Sequence, residues 1–344
     1  MAWKKINKFV RMWDKPVLGN VNQKNPIMAL AILKEKINEK YQGIAREIIE
    51  RKGDVAISGF VDKSRLVIVE STDLLSWNVK EKLKIKGIKN IIKKYEKENT
   101  EFVGLEDPDI NVSNGIIHVY FTIAYKFLNI KGFAVYLGHA QGKSLADLKA
   151  TEPVLSPMIQ KNRVSLGFKE ESDFPIKYKT GRIKLVESNC GLGDSIIVAA
   201  ISKNGKKWKL LGMEADPHKM KQEWCHGDLS PGPILKPSFI RHRNLLVGFV
   251  NGRSPSKIID GKKVYGKFKV GLMLVNPQTG EIPWISPEPL IDDPDARTIT
   301  FASDFLQLDD ENGILYAHVD DSFVRAYEIS TDGLNKFLKK HLKN

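Results

Sequence analysis

The chain has 344 residues, of which 42% are hydrophobic and 28% charged, with a formal net charge of +13. This composition is that of an ordinary globular protein with room for one large or two medium domains. No apolar run follows the N-terminal lysines and no stretch of about 18 apolar residues occurs, so we expect neither a signal peptide nor a membrane partner. The lysines are dispersed and accompany no nucleic-acid-binding motif, which argues against a nucleic-acid partner. The two cysteines, Cys190 and Cys225, lack metal-ligand spacing, so we expect a reduced, cytoplasmic protein without a metal or other cofactor.

The first 53 residues have a mixed character. Residues 29–52 are rich in Ala, Leu, Glu, Lys and Arg, and their apolar spacing suits a helix that is interrupted near Gly43. Two irregular strands are the alternative for this stretch. We predict that residues 1–53 form an irregular or helical N-terminal segment that packs on the following domain.

From residue 54 the pattern changes to short apolar strands separated by polar turns, which is typical of an all-β fold. Most units end in a turn that leads to Trp or Leu, and we interpret Trp77, Trp208 and Trp284 as core residues at these unit ends. The predicted strand pairs are 55–60 with 65–70, 116–125 with 133–138, 183–186 with 195–201, 239–250 with 270–275, and 298–308 with 313–329.

This repetition, at intervals of roughly 50–70 residues, favours a five-bladed β-propeller. We assign it to residues 54–330; a β-sandwich or a two-domain all-β chain is the alternative. Residues 331–344 are expected to form a C-terminal tail helix.

The stretch Gly104-Leu-Glu-Asp-Pro-Asp-Ile110 carries the first candidate chemistry. The adjacent carboxylates of Glu106 and Asp107 precede Pro108, and an apolar strand follows closely. A proline favours an extended conformation for the preceding residue, so Asp107 should be held at a defined angle. Extended backbone would then direct Glu106 to the opposite side. An acidic turn before a strand is the simpler alternative.

This stretch resembles the Glu-Asp-Pro-Arg motif of glycoside hydrolase family 130, the β-mannoside phosphorylases and hydrolases. Further stretches are similar to family motifs in the same order: Ser71-Thr-Asp-Leu-Leu-Ser-Trp77, Lys169-Glu170 with Phe174-Pro175, Ser230-Pro-Gly-Pro-Ile234, and Leu315-Tyr-Ala-His-Val-Asp320. The resemblance covers about residues 55–330. It implies a five-bladed propeller that acts on β-linked mannosides with inversion.

The chain departs from the family pattern at basic positions. Asp109 replaces the arginine of the first motif, Glu187 falls where the family has a basic residue, and Asn251 replaces a histidine. The family's phosphorylases use these residues to hold inorganic phosphate, and a phosphate site needs several converging cationic or N–H donors. Their loss favours hydrolysis over phosphorolysis, which would release mannose 1-phosphate.

An inverting glycosidase needs an acid and a base on opposite faces of the sugar. Asp107 is the candidate acid and Glu187 the candidate base, because a carboxylate can activate water where the phosphorylases carry a cation. Trp224 is a candidate for stacking on a sugar, and His226 and Asp228 are interpreted as pocket lining rather than a metal site. The candidate substrate-binding residues are Glu106, Asp109, Lys169, Trp224, His226, Asp228, Asn251 and Asp320.

The expected partner is therefore an oligosaccharide substrate, a β-mannoside. Two other functions stay open at this point: an inverting propeller glycosidase of the arabinanase–xylosidase type, and a non-catalytic sugar-binding propeller. The linkage, the length of the sugar and the oligomeric state also stay open.

Overall fold

The structure is a computed structural model that describes residues 2–20, 23–130, 132–160, 163–176, 181–189 and 194–342. Across these ranges the chain is almost entirely β-sheet, with two α-helices. Neither helix has the length and apolar character of a membrane span. Cys225 is a buried free thiol, and Cys190 lies outside the described residues.

The strands and helices follow one another in short succession. In chain order they are β1 Trp3–Lys5, β2 Val10–Trp13, β3 Leu18–Gly19, β4 Ile27–Ile32, β5 Tyr41–Lys52, β6 Val61–Ser71, β7 Asn78–Lys82, α1 Ile88–Tyr95, β8 Thr100–Ser113, β9 Ile116–Phe127, β10 Phe133–Gly142, β11 Lys149–Ala150, β12 Met158–Gln160, β13 Arg163–Asp173, β14 Arg182–Asn189, β15 Ser195–Ser202, β16 Lys209–Ala215, β17 Asp228–Ile234, β18 Arg241–His242, β19 Leu245–Arg253, β20 Lys257–Ile259, β21 Lys262–Val264, β22 Phe268–Val275, β23 Trp284–Ile285, β24 Thr300–Gln307, β25 Asn312–Val319, β26 Phe323–Ser330 and α2 Thr331–His341.

These strands form four main sheets and a separate ribbon of β20 and β21. Strands β4 to β11 form the largest sheet, in which two antiparallel halves meet at one parallel pairing between Ser64 and Gly104. Strands β12 to β16 form the next sheet, and β17, β19, β22 and β23 form another, with β18 beside β19. The last sheet has the order β1-β2-β26-β25-β24, with β3 beside β26. The two ends of the chain are therefore joined in one sheet.

Five strands form a ring at the centre of the described fold. Strands β4, β8, β13, β17 and β24 each contact the next, and β24 contacts β4. The antiparallel register of every one of these strands is interrupted, at residues 29–30, 107–108, 169–170, 232–233 and 303. Such bulges redirect side chains and are common beside active sites. At these five interruptions the side chains therefore depart from the regular alternation between the two faces of a sheet.

The prediction of an irregular or helical segment at residues 1–53 is wrong, and the alternative of two irregular strands for residues 29–52 agrees with β4 and β5. Residues 27–32 form β4, which is buried at every position, and β5 pairs with it. At Gly43 a Cβ atom would lie 2.5 Å from the carbonyl oxygen of Ala31, so the residue read as a helix break allows close approach of two strands. Burial in the ring outweighs the helix propensity of this composition.

Most of the other predicted strands are present. The pairs at 116–125 with 133–138, 183–186 with 195–201, and 298–308 with 313–329 fall on β9 and β10, β14 and β15, and β24 to β26. Residues 55–60 instead form turns, in which Ile57 makes an isolated bridge to Val264. The stretch 239–250 contains two strands instead of one, the short β18 and the first part of β19, which begins at Leu245.

The turns that end two of the predicted units share one hydrogen-bond pattern. The Ser71 hydroxyl accepts the backbone N–H of Leu74 at 2.9 Å, and the Trp77 indole donates to the Leu74 carbonyl at 3.2 Å. Ser202 and Trp208 make the same contacts around residue 205, at 2.9 and 3.0 Å. Both tryptophans are buried, as expected of core residues.

The C-terminal helix α2 packs on the outside of the last sheet. It begins after Ser330, whose hydroxyl caps it by accepting the Gly333 N–H at 3.1 Å. Leu334, Phe337 and Leu338 are buried against the core, so the helix covers an apolar surface near the closure of the ring.

Candidate active site

The interrupted segments of the five central strands converge on an open cavity, whose empty space of about 350 Å³ includes the solvent at its mouth. Its lining comes from residues 29, 107–109, 170–172, 231, 302–303 and 318, so each central strand contributes. Four of the lining residues carry carboxyl groups: Asp107, Asp109, Glu170 and Glu171. None of the lining residues is lysine or arginine. In a chain with a net charge of +13, the centre of the ring is therefore acidic.

Arg46 holds the two adjacent carboxylates of the first motif. Its guanidinium donates from Nη2 to Glu106 Oε1 at 2.8 Å and from Nη1 to Asp107 Oδ1 at 3.0 Å. The Ser64 hydroxyl donates to the same Glu106 oxygen at 3.3 Å. Burial raises the pKa of Glu106 against the opposing effect of Arg46. The two carboxylates and the guanidinium thus form one buried cluster.

Asp107 does not have the extended backbone that Pro108 led us to expect. Its φ is +45°, and the register of β8 is interrupted between Glu106 and Asp109. Both carboxylates consequently face Arg46 instead of pointing to opposite sides. A non-glycine residue with positive φ costs of order 1–3 kcal/mol and is concentrated at functional sites.

Gly104 brings this strand close to its neighbour. A Cβ atom there would lie 2.3 Å from the Ser64 hydroxyl and within 2.9 Å of the Ser64 backbone. Only a residue without a side chain permits this approach, which places Ser64 beside Glu106. The first residue of the motif is therefore a packing requirement of the site.

The bulge of β13 presents a second group of charges. Lys169 and Glu170 lie between the paired positions Phe168 and Glu171, opposite Glu187 on β14. Lys169 Nζ lies 3.8 Å from Glu187 Oε1, and this carboxylate, followed by the smaller effect of Asp107, raises the pKa of Lys169 despite burial. The structure therefore brings the predicted Lys169 and Glu187 together beside Asp107.

Glu187 has a further partner. The Ser195 hydroxyl donates to Glu187 Oε1 at 2.6 Å, while the Ser195 backbone N–H donates to Asp228 Oδ1 at 2.7 Å. Asp228 is itself bonded to Arg253 Nε at 2.6 Å. Asp228 is thus connected to Glu187 through Ser195, and neither carboxylate is part of the cavity lining.

Glu170 differs from these carboxylates. It lines the cavity and makes no hydrogen bond within the described residues. Burial, followed by the charges of Asp107 and Glu187, raises the pKa of Glu170 well above its usual range. Glu170 belongs to one of the quoted motifs but is not among the site residues predicted from the sequence.

Asp109 lines the cavity next to a buried lysine. Lys184 contacts Glu171 and lies 3.5 Å from Asp173, and its ammonium is 3.5 Å from the ring centroid of Tyr120. Burial raises the pKa of Asp109 in spite of Lys184. The position where the family has arginine is therefore acidic and faces the cavity.

Trp224 and His226 do not line the cavity. The Trp224 indole donates to the Ser286 carbonyl at 3.1 Å and its ring lies in the hydrophobic core. His226 Nδ1 lies 3.0 Å from the Met220 carbonyl oxygen. Their predicted contacts with a sugar gain no support from this arrangement.

Asn251 and Asp320 are bonded to the backbone. The Asn251 amide donates to the Ala302 carbonyl at 3.2 Å and accepts the Ala302 N–H at 2.7 Å. The Asp320 carboxylate accepts backbone N–H groups of residues 297, 298 and 299 at 2.7–3.2 Å. Although burial alone would raise it, these bonds lower the pKa of Asp320. Both side chains hold segments that border the cavity.

Sequence reasoning missed Arg46, His318 and Asp321. His318 lines the cavity, with Nε2 3.3 Å from Asp321 Oδ1 and Nδ1 3.2 Å from the Ser303 hydroxyl. Burial would raise the pKa of Asp321, but His318 and Arg46 lower it below its usual range. His318 lies inside one of the quoted motifs, so a signal was present; Arg46 lies in the stretch interpreted as a helix.

No group of three or more His, Cys, Asp or Glu in the described ranges has the geometry of a metal site.

No protein-family model matches the chain, and no curated protein matches it in sequence. Solved structures do match. A β-1,2-mannobiose phosphorylase from Listeria innocua, solved with β-1,2-mannobiose, has a TM-score of 0.68 at 12% identity, over 96% of this chain and 99% of that one. A glycosyl hydrolase from Bacteroides ovatus has a TM-score of 0.64 at 15% identity, over 95% and 93% of the two chains. An arabinanase from Bacillus subtilis has a TM-score of 0.55 at 13% identity, over 90% and 94%. The chain therefore has the propeller fold of these carbohydrate-active enzymes, and identities this low show the fold alone.

Proposed function

We propose that this protein is a carbohydrate-active enzyme that hydrolyses β-mannosidic linkages with inversion. The observation that carries the proposal is the acidic cavity at the centre of the strand ring, which Asp107 and Glu170 line, with Glu187 close enough to act electrostatically on Glu170. The fold shared with a mannobiose phosphorylase and with glycoside hydrolases supports it, as does the resemblance of the 104–110 motif to family 130. Under this proposal the five central strands are the innermost strands of five blades.

The arrangement suits a neutral sugar ring. Carboxylates accept hydrogen bonds from hydroxyl groups, and several of them around one cavity can orient a pyranose. In an inverting hydrolysis, one carboxyl group protonates the leaving oxygen while another activates a water on the opposite face. Asp107 is the proposed acid from the sequence motif, and Glu187, bonded to Ser195 and near Lys169, is the proposed base.

Hydrolysis fits the charges better than phosphorolysis does. Phosphate is a dianion and requires free cations or N–H donors. The Arg46 guanidinium is already bonded to Glu106 and Asp107, and Lys169 is near Glu187. A phosphate in the cavity would therefore meet uncompensated carboxylates.

The test is an assay on a panel of β-mannosides, α-mannosides, arabinosides and xylosides, with and without phosphate. We expect free mannose from β-mannosides at a rate independent of phosphate, with the α-anomer detected first by NMR. Asp107→Asn and Glu187→Gln should abolish this activity, whereas Glu98→Gln, at an exposed position, should not. Phosphate-dependent mannose 1-phosphate would contradict hydrolysis. Activity on arabinosides or xylosides alone would contradict the mannoside specificity, and saturable sugar binding without turnover would indicate a sugar-binding protein.

A further inference from the structure

The carboxyl groups around the candidate acid and base are not equivalent. Glu106 and Asp107 are bonded to Arg46, and Glu187 is bonded to Ser195 with Lys169 nearby. Glu170 lines the same cavity and makes no hydrogen bond within the described residues. Among Glu106, Asp107, Glu170 and Glu187, the Glu170 carboxyl group is therefore the one that no described donor occupies.

The charge balance of this cluster also singles out one carboxyl group. Four carboxyl groups stand beside two cations: Glu106, Asp107, Glu170 and Glu187 beside Arg46 and Lys169. If all were ionised, two negative charges would be uncompensated in a buried site, which is unfavourable. Binding of one proton removes one of these two uncompensated negative charges. The proton belongs on the group without an ion pair or hydrogen-bond donor. Burial, then Asp107 and Glu187, raise the pKa of Glu170 against the opposing effects of Lys169 and Arg46.

We propose that Glu170 is a catalytic residue that holds the transferable proton of this site and donates it to the glycosidic oxygen. Asp107 then stays ion-paired with Arg46 and faces the positive charge that develops at the anomeric carbon. The inference rests on the proposed glycoside hydrolysis and reassigns the acid within it, from Asp107 to Glu170.

The step balances as follows. The O–H bond of Glu170 breaks as its proton passes to the glycosidic oxygen, and the bond from the anomeric carbon to that oxygen breaks with its electron pair on the leaving group. A water oxygen bonds to the anomeric carbon, and Glu187 accepts the proton that this water loses. Glu170 is left ionised and Glu187 protonated; Glu187 releases its proton to solvent and Glu170 recovers one, which restores the starting state.

The dependence of activity on the leaving group distinguishes the general acid from the other carboxyl groups of the site. A dinitrophenyl β-mannoside expels a stable anion and needs no protonation, whereas a β-mannobiose does. General acid catalysis contributes about 10²–10⁴-fold, so Glu170→Gln should lose about that much kcat on the disaccharide and stay within about tenfold of wild type on the dinitrophenyl substrate. The basic limb of the pH profile should disappear in this variant. Asp107→Asn should lose activity on both substrates, and Glu98→Gln should match wild type on both.

The reverse pattern overturns the proposal: rescue of Asp107→Asn by the dinitrophenyl substrate, with Glu170→Gln impaired on both substrates. A second readout does not use activity. Carbon NMR of the protein with labelled glutamate, assigned by comparison with Glu170→Gln, should show a protonated Glu170 carboxyl at neutral pH. An ionised Glu170 in an active enzyme overturns the donor role alone. Wild-type protein that cleaves neither substrate overturns the proposed function, and the donor role with it.

Discussion

Removing the Arg46 guanidinium is the sharpest structural perturbation of the site. In Arg46→Met the side chain keeps much of its length but loses its charge and its bonds to Glu106 and Asp107. Two adjacent buried carboxylates are then left facing each other. Breaking a buried ion pair by removing one partner costs about 3–5 kcal/mol, because the remaining charge is uncompensated. We expect a loss of stability of this size at neutral pH.

The loss of stability in Arg46→Met should increase as the pH rises. Without Arg46, burial and repulsion by Asp107 raise the folded-state pKa of Glu106 further above its unfolded value of about 4. The folded variant then binds more protons than the unfolded chain, so its stability falls as pH rises through this range. The destabilisation should be small at acidic pH and fully present at neutral pH.

Urea unfolding at acidic and neutral pH measures this directly. The control is Arg241→Met, which removes an exposed arginine and should change stability little. Adding Asp107→Asn to Arg46→Met removes one of the opposed carboxylates and should recover part of the loss. A cost below about 1 kcal/mol, or a cost that is equal at both pH values, would refute a buried charge cluster, since exposed pairs contribute about that much or less.

Three further outcomes are expected. Gly104→Ala should destabilise the protein by about 1–3 kcal/mol in urea unfolding, because the new Cβ would meet Ser64 at 2.3 Å; unchanged stability would contradict the close strand approach. Asn251→Ala should cost about 1–3 kcal/mol through the unpaired backbone groups of Ala302, and a loss of sugar binding at unchanged stability would instead support the predicted substrate contact. Burial, then His118, lowers the pKa of His139 to about 3, so the unfolded chain binds the extra proton and stability should fall as pH drops below about 6.5. Melting temperatures across pH should show a flatter acid limb in His139→Asn.

The parts of the fold that the sequence predicts well are those with a local cause. The turns at residues 71–77 and 202–208 combine a serine, an Asp or Asn and a tryptophan, and their hydrogen bonds connect residues three apart. Strand pairs such as β9 with β10 follow from apolar alternation on both sides of a short turn. The motif at 104–110 was predicted to precede a strand, but it lies inside β8, because its residues pair with β9 on both sides of the interruption at 107–108.

The parts that failed depend on contacts between distant residues. Residues 29–52 have the composition of a helix, and their strand conformation is imposed by pairing with β6 and by the ring. Arg46 meets Asp107 across 61 positions, a distance over which no local pattern extends. The bulge that places Lys169 and Glu170 opposite Glu187 also leaves no mark in the alternation of polar and apolar residues. The chemistry of the site was thus readable by residue type but not by geometry.

The acidity of the cavity leads to a last prediction, on phosphate affinity. A unit charge about 5 Å from a phosphate oxygen contributes about 3 kcal/mol at an effective dielectric of about 20, which corresponds to about 100-fold in Kd. Glu187→Gln removes a charge that lies beside the cavity, not in its lining, and releases Lys169, whose ammonium lies 3.8 Å from Glu187 in the wild type. We therefore expect wild-type protein to bind inorganic phosphate negligibly at millimolar concentration, and Glu187→Gln to bind it at least about tenfold more tightly after solvent screening. Isothermal titration with phosphate, with Glu98→Gln as the matched control, measures both affinities. Millimolar binding by the wild type would show that free cations reach the cavity, and an unchanged Glu187→Gln would show that Lys169 does not face it.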